Sequence, residues 1–110
     1  MNVSTTQYKH CDLIEVNGKI DHYTAPKLSD TMEALFNSGR YNLVIDMENV
    51  EYMSSTGIRI LAKAQTTCKG NDGDLVLALV PDRVYEALDL VALVKYFKIY
   101  DNVLDAVGSF

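Results

Sequence analysis

Three consecutive hydroxyl side chains, Ser54-Ser55-Thr56, run directly into Gly57 and then into a helical pattern, Ile58-Arg59-Ile60-Leu61. A hydroxyl at a helix start can accept an orphan backbone N–H, which accounts for such clusters on structural grounds alone. The same position also favours a bound or covalently attached anion, because the helix dipole places positive charge there. With Ser54 as the N-cap, Ser55 becomes the first helical residue and points outward, within reach of a kinase. Gly57 costs the helix about 1 kcal/mol relative to alanine. Its presence predicts a close approach by another backbone or by a partner.

Other reactive groups are more scattered. Asp46 closes an apolar run and is suited either to holding the following turn or to contacting a partner or nucleotide. His10-Cys11 and Asp21-His22 contain metal-ligand types. The strand expected between them spans on the order of 30 Å, which keeps the two clusters apart and argues against a metal site. Asp72 and Asp74 lie in a glycine-flanked loop and read as solvated carboxylates. No histidine is paired with a nucleophile at a recognisable elbow, and no glycine-rich phosphate loop is present. No catalytic set and no cofactor site are expected.

The elements that position these residues follow from periodicity. Val3–Lys9 reads as an edge strand and His10-Cys11-Asp12 as a turn. Leu13–Ile20 carries Ile14, Val16 and Ile20 on one face, with Gly18 as a bulge or bend. Thr24 is the expected N-cap of a helix with Pro26 in its first turn, an apolar stripe at Leu28, Met32, Leu35 and Phe36, and a stop at Gly39. Leu43-Val44-Ile45 predicts a short central strand followed by an acidic loop. A helix over Ser55–Lys69 is predicted to turn Ile58, Leu61, Ala62, Gln65 and Cys68 inward. Leu75–Val80 is a second central strand, and Pro81 opens a helix with Val84, Ala87 and Leu88 inside. Lys98–Tyr100 and an Asn102-capped helix through Val107 complete the chain. The order β-β-α-β-α-β-α-β-α implies a mixed, mostly parallel sheet of four to five strands packed with about four helices.

Bulk properties narrow the function. A chain of 110 residues fits one domain spanning 1–110. Its formal charge of −5 opposes non-specific nucleic-acid binding. No apolar run approaches a membrane span and the polar start is no signal peptide, so a cytoplasmic location is expected. The two cysteines, Cys11 and Cys68, are far apart and read as buried thiols.

The hydroxyl triplet and its surroundings resemble the bacterial anti-sigma factor antagonists, which are single STAS domains. Gly18-Lys19-Ile20-Asp21 followed by Thr24-Ala25-Pro26 is similar to one family motif. Val44-Ile45-Asp46 through Gly57-Ile58-Arg59-Ile60-Leu61 is similar to the signature around the acceptor serine. Val84, Leu88, Leu90 and Leu93 through Phe97-Lys98-Ile99-Tyr100 are similar to the closing elements.

The resemblance implies an α/β STAS fold and a switch. An unphosphorylated antagonist binds an anti-sigma factor that is itself a serine kinase, and so releases a sigma factor. The kinase then phosphorylates the serine two residues before the glycine, here Ser55, and a phosphatase reverses it. Asp21, Thr24, Met53, Ser54, Thr56 and Gly57 would flank the partner surface. The chain departs from the family at Ser54, where many members have Asp, at Lys19 in place of Glu, and at Ala92 in place of Gly. One rival expectation is a STAS subunit of a signalling scaffold or lipid-transport ATPase, without a phosphoswitch. Another is a small nucleotide-binding or nucleotide-hydrolysing protein.

Overall fold

The computed structural model describes residues Met1–Phe110. Nine-residue β2 (Asp12–Ile20) is the first fully engaged strand, and β1 (Asn2–Gln7) pairs antiparallel to it along one edge. Helix α1 (Ala25–Asn37) then crosses to β3 (Asn42–Met53), and α2 (Ser55–Gly70) crosses to β4 (Asp74–Ala78). After α3 (Asp82–Leu90) and a single 3-10 turn at Val94–Tyr96, β5 (Ile99–Tyr100) closes the sheet and α4 (Val103–Gly108) ends the chain.

The sheet order is β1-β2-β3-β4-β5, with every pair after the first parallel. Three successive crossovers step the same way across the sheet, and their shared handedness keeps α1, α2 and α3 on one face. That face holds the main core, in which Ile14, Ile20, Leu28, Met32, Ile45, Leu61, Leu77 and Leu88 are almost completely buried. Each such side chain contributes about 1.5–3 kcal/mol of hydrophobic stabilisation. Helix α4 follows no crossover and lies on the other face, seating Ala106 over Cys11, Leu13, Val44, Val76 and Ala78.

Helix α1 ends as expected. Gly39 adopts φ +77°, and the amides of Gly39 and Arg40 return to the carbonyls of Phe36 and Leu35 at 2.9 and 3.0 Å. Its start differs from expectation: Thr24 occupies the N-cap, but its side chain makes no capping bond to the helix. On the inner face of α2, Ala64 is buried in the place foreseen for Ala62.

The largest difference is in β3. The acidic stretch Glu48–Tyr52, expected as a loop, continues the strand and pairs with the second half of β2. Two register shifts make this possible. Glu15 and Asn17 face Asp46 and Asn49, and Gly18 and Lys19 face Val50 and Tyr52, so β3 carries an extra residue at each step. Each extra residue flips the inward face. The buried positions Met47, Val50 and Met53 therefore recur every third residue, and the strand loses its alternating pattern. Asp46 supports the first bulge by accepting the Glu48 amide at 3.0 Å. Gly18 sits at the second with φ +105°.

Candidate functional site at the start of α2

Extending β3 to Met53 carries Ser54 to the end of the parallel pair, where its amide donates to the Ile20 carbonyl at 2.8 Å. This bond ties the start of α2 to the loop between β2 and α1. Ser54 has extended backbone angles (φ −78°, ψ 171°), and its Oγ accepts the Gly57 amide at 3.3 Å. Ser54 is the cap. Ser55 follows as the first helical residue, is exposed, and has a hydroxyl that the fold does not use. Thr56 is half-buried. No acidic residue lies in the first turn of α2 itself.

Gly57 has a packing role. A Cβ there would lie 2.7 Å from Cγ2 of Ile20 and 3.0 Å from Cγ of Met53. The close approach within the chain at Gly57 therefore comes from two core side chains and not from another backbone. Gly57 and Met53 are both buried. They hold the helix end in place beneath the surface and offer a partner no exposed side chain in this conformation.

Asp21 and Thr24 stand beside this helix end and support each other. Asp21 Oδ1 accepts the amides of Tyr23 and Thr24 at 2.9 and 3.0 Å. Thr24 Oγ1 accepts the Asp21 amide at 2.9 Å and donates to the Lys19 carbonyl at 2.7 Å. The threonine hydroxyl is spent on the loop, which explains why it does not cap α1. Bonding to the Thr24 amide, chiefly, holds the Asp21 carboxyl below its ordinary value. Around this loop Lys19 and His22 are exposed, and Tyr23 is 89% exposed with its ring edge-on to His22. The structure thus gathers Asp21, Thr24, Ser54, Ser55 and Thr56 at one corner. Tyr23 belongs with them and was not foreseen. Its only sequence signal was an aromatic residue between the strand and helix patterns.

Elsewhere the polar groups serve the fold. His10 sits in the β1–β2 turn, far along the chain from His22. No group of three His, Cys, Asp or Glu side chains is arranged to hold a metal ion. Asp74 is not the freely solvated carboxylate expected from its loop, because it accepts from Gln65 at 3.0 Å and lies 3.4 and 3.6 Å from Lys69 and Lys98. Cys11 and Cys68 are buried free thiols, and burial pushes Cys68 up to about 12. An open cleft of 330 Å³ beyond the ends of β4 and β5 is lined by Glu48, Pro81, Tyr100 and Asp101, among others. It has no basic side chain to bind a phosphate. No helix is long and apolar enough to cross a membrane.

The model of the STAS domain family matches residues 2–106. The chain belongs to the STAS domain family. It is 28% identical over 93 residues to the anti-sigma-B factor antagonist of Staphylococcus aureus (strain NCTC 8325 / PS 47), with 84% of this chain and 86% of the relative covered. A crystal structure of an anti-sigma factor antagonist from Mycobacterium paratuberculosis superposes with TM-score 0.87 at 26% identity, covering 98% of this chain and 92% of the other. Unphosphorylated SpoIIAA, an anti-sigma factor antagonist, superposes with TM-score 0.85 at 14% identity, covering 98% and 95%. This last likeness is one of fold. The chain has the STAS architecture, and its likeness to these relatives supports the general role of anti-sigma factor antagonist.

Proposed function

We propose that this chain is an anti-sigma factor antagonist whose binding surface is the corner formed by the β2–α1 loop and the start of α2, and whose switch is phosphorylation of Ser55. Unphosphorylated, it binds an anti-sigma factor that is also a serine kinase, and the sigma factor is released. Phosphorylated, it lets go, and a serine phosphatase resets it. The chain acts as a binding module in the cytoplasm and carries no chemistry of its own.

The observation that carries this reading is an exposed, unengaged Ser55 hydroxyl one residue after a cap that is already satisfied by Ser54. The hydroxyl can be modified without removing a bond that the fold needs. A phosphate adds about −1.5 to −2 charges and three acceptor oxygens. At the first position of a 16-residue helix, with exposed Arg59 one turn further along the same side, that charge is tolerated. A partner packed over Ser55 would have to desolvate it, and each ~1.4 kcal/mol of penalty weakens binding tenfold. The exposed side chains offered to the partner are those around Asp21, Thr24, Ser54 and Thr56. Met53 and Gly57 act from beneath.

Incubation with the cognate kinase and ATP, followed by peptide mass mapping, tests the acceptor. Phosphate is expected on Ser55, and its appearance only on Ser54 or Thr56 would move the switch. Ser55→Ala is expected to keep binding the kinase while Ser55→Asp binds poorly. Equal affinities for the two would remove the phosphoswitch.

A further inference from the structure

The two edges of the sheet are built differently. β5 is only two residues long and is flanked by exposed Lys98 and Asp101, which protects that edge by shortness and charge. β1 is longer, and its charges, the Met1 ammonium and Lys9, lie outside the strand itself. It runs six residues, Asn-Val-Ser-Thr-Thr-Gln, without proline, glycine or charge, and five of the six are exposed. All six pair with β2, so the outward row of N–H and C=O groups is already held in strand geometry. A long, uncharged, pre-formed edge is a template for another strand.

We propose that β1 is a self-association surface: a second copy of this chain adds its own β1 antiparallel to it, making one continuous sheet from two. The choice of a second copy rests on charge, conformation and closure. At a net charge of −5, two copies repel over most of their surfaces. Every other helix or strand longer than two residues carries at least one Asp, Glu, Lys or Arg, so β1 alone offers an element that meets itself without a charge conflict. Both strands arrive already formed, so neither has to be ordered on binding. Closure follows from the contrast between edges. Each copy has one long free edge, so pairing stops at a two-fold dimer and does not extend into a filament.

The symmetry restricts the register. A two-fold axis perpendicular to the sheet keeps each face continuous, so residues on the same face of β1 meet. With the axis through Ser4, Ser4 meets itself and Val3 meets Thr5. With the axis through Thr5, Ser4 meets Thr6. The pairs are β-branched or hydroxyl side chains, which suit cross-strand contact.

The double variant Ser4→Lys/Thr6→Lys tests this in either register, because both place lysine against lysine across the axis. Both residues are exposed, and Ser4 lies opposite Glu15 on β2, so the monomer accommodates the change. Sedimentation velocity of the full chain, from about 10 μM to about 1 mM, covers the range in which small interfaces associate. Wild type is expected to shift from monomer to dimer as concentration rises. The variant is expected to associate at least tenfold more weakly with an unchanged circular dichroism spectrum. A wild type that stays monomeric throughout overturns the proposal, as does a variant that associates equally well. Should the variant not fold, hydrogen exchange of wild type decides. Alternate β1 amides are expected to slow with concentration, and concentration-independent exchange contradicts the interface. None of these readouts depends on Ser55 or on a kinase.

Discussion

At its first turn α2 leaves Ser55 open to solvent beside the cap Ser54, whereas three turns later it buries Gln65 completely and bonds every one of its polar atoms. Gln65 Oε1 accepts the Leu75 amide at 2.8 Å. Its Nε2 shares two N–H groups among Asp74 Oδ1 at 3.0 Å, the Leu75 carbonyl at 3.0 Å and the Tyr96 carbonyl at 2.9 Å. One glutamine thus joins α2 to β4 and to the 3-10 turn. Both ends of the helix rely on side chain–backbone hydrogen bonds, but only the first leaves a hydroxyl over. The first end therefore exposes a hydroxyl that can change without loss of a structural bond, whereas every polar atom at the other is committed to the fold.

Gln65→Leu is expected to give the largest effect. It strands the buried Leu75 amide and carbonyl and the partly buried Tyr96 carbonyl, at a cost of about 2–4 kcal/mol. Urea unfolding should read this as a lower midpoint, with Ser55 phosphorylation unchanged below the transition. A loss of phosphorylation in the folded variant would mean that the two ends are coupled.

Gly57→Ala comes next. Its methyl group collides with Ile20 and Met53, and overpacking of this kind costs about 1–3 kcal/mol. Unlike the glutamine change, it should also tilt the start of α2 and weaken partner binding. A variant that is destabilised but binds normally would show that the helix end tolerates the shift.

Ala92→Gly acts in the opposite direction. Ala92 holds φ 60°, a conformation that costs a non-glycine residue, so the change should stabilise by about 0.5–1 kcal/mol in thermal melts. It lies outside the α2 corner and should leave binding unchanged.

The smallest effect at neutral pH belongs to Cys68. Its thiol is held protonated to about 12, against an ordinary 9.0. The folded value is the raised one, so this stability is fully present below pH 9 and is lost as pH rises towards 12. Cys68→Ala should flatten the alkaline fall in Tm while leaving the neutral-to-acid limb parallel to wild type.

The contrast between the two ends also explains what could be read from the residues alone. The order of strands and helices, the Ser54 cap and the exposed Ser55 were legible, because capping chemistry and apolar stripes are local. Gln65 was legible only as an inward position. Its partners come from Asp74, Leu75 and Tyr96, up to 31 residues away, and no local pattern announces them. The second half of β3 was misread for a related reason. Its two extra residues convert an alternating pattern into one with a period of three, so Glu48, Asn49, Glu51 and Tyr52 looked like a loop. Thr24 had the residue type of a cap, but Asp21 and Lys19 claimed its hydroxyl. Gly57 was expected to meet another backbone or a partner, whereas the groups that crowd it are the side chains of Ile20 and Met53.

The most direct test of the switch is calorimetric titration of the anti-sigma partner into two forms of this chain, one unmodified and one with phosphoserine incorporated at position 55. Both forms are expected to melt within a few degrees of each other, and the phosphorylated form to bind at least tenfold more weakly. Equal affinities, or a phosphorylated form that is unfolded, would contradict the switch.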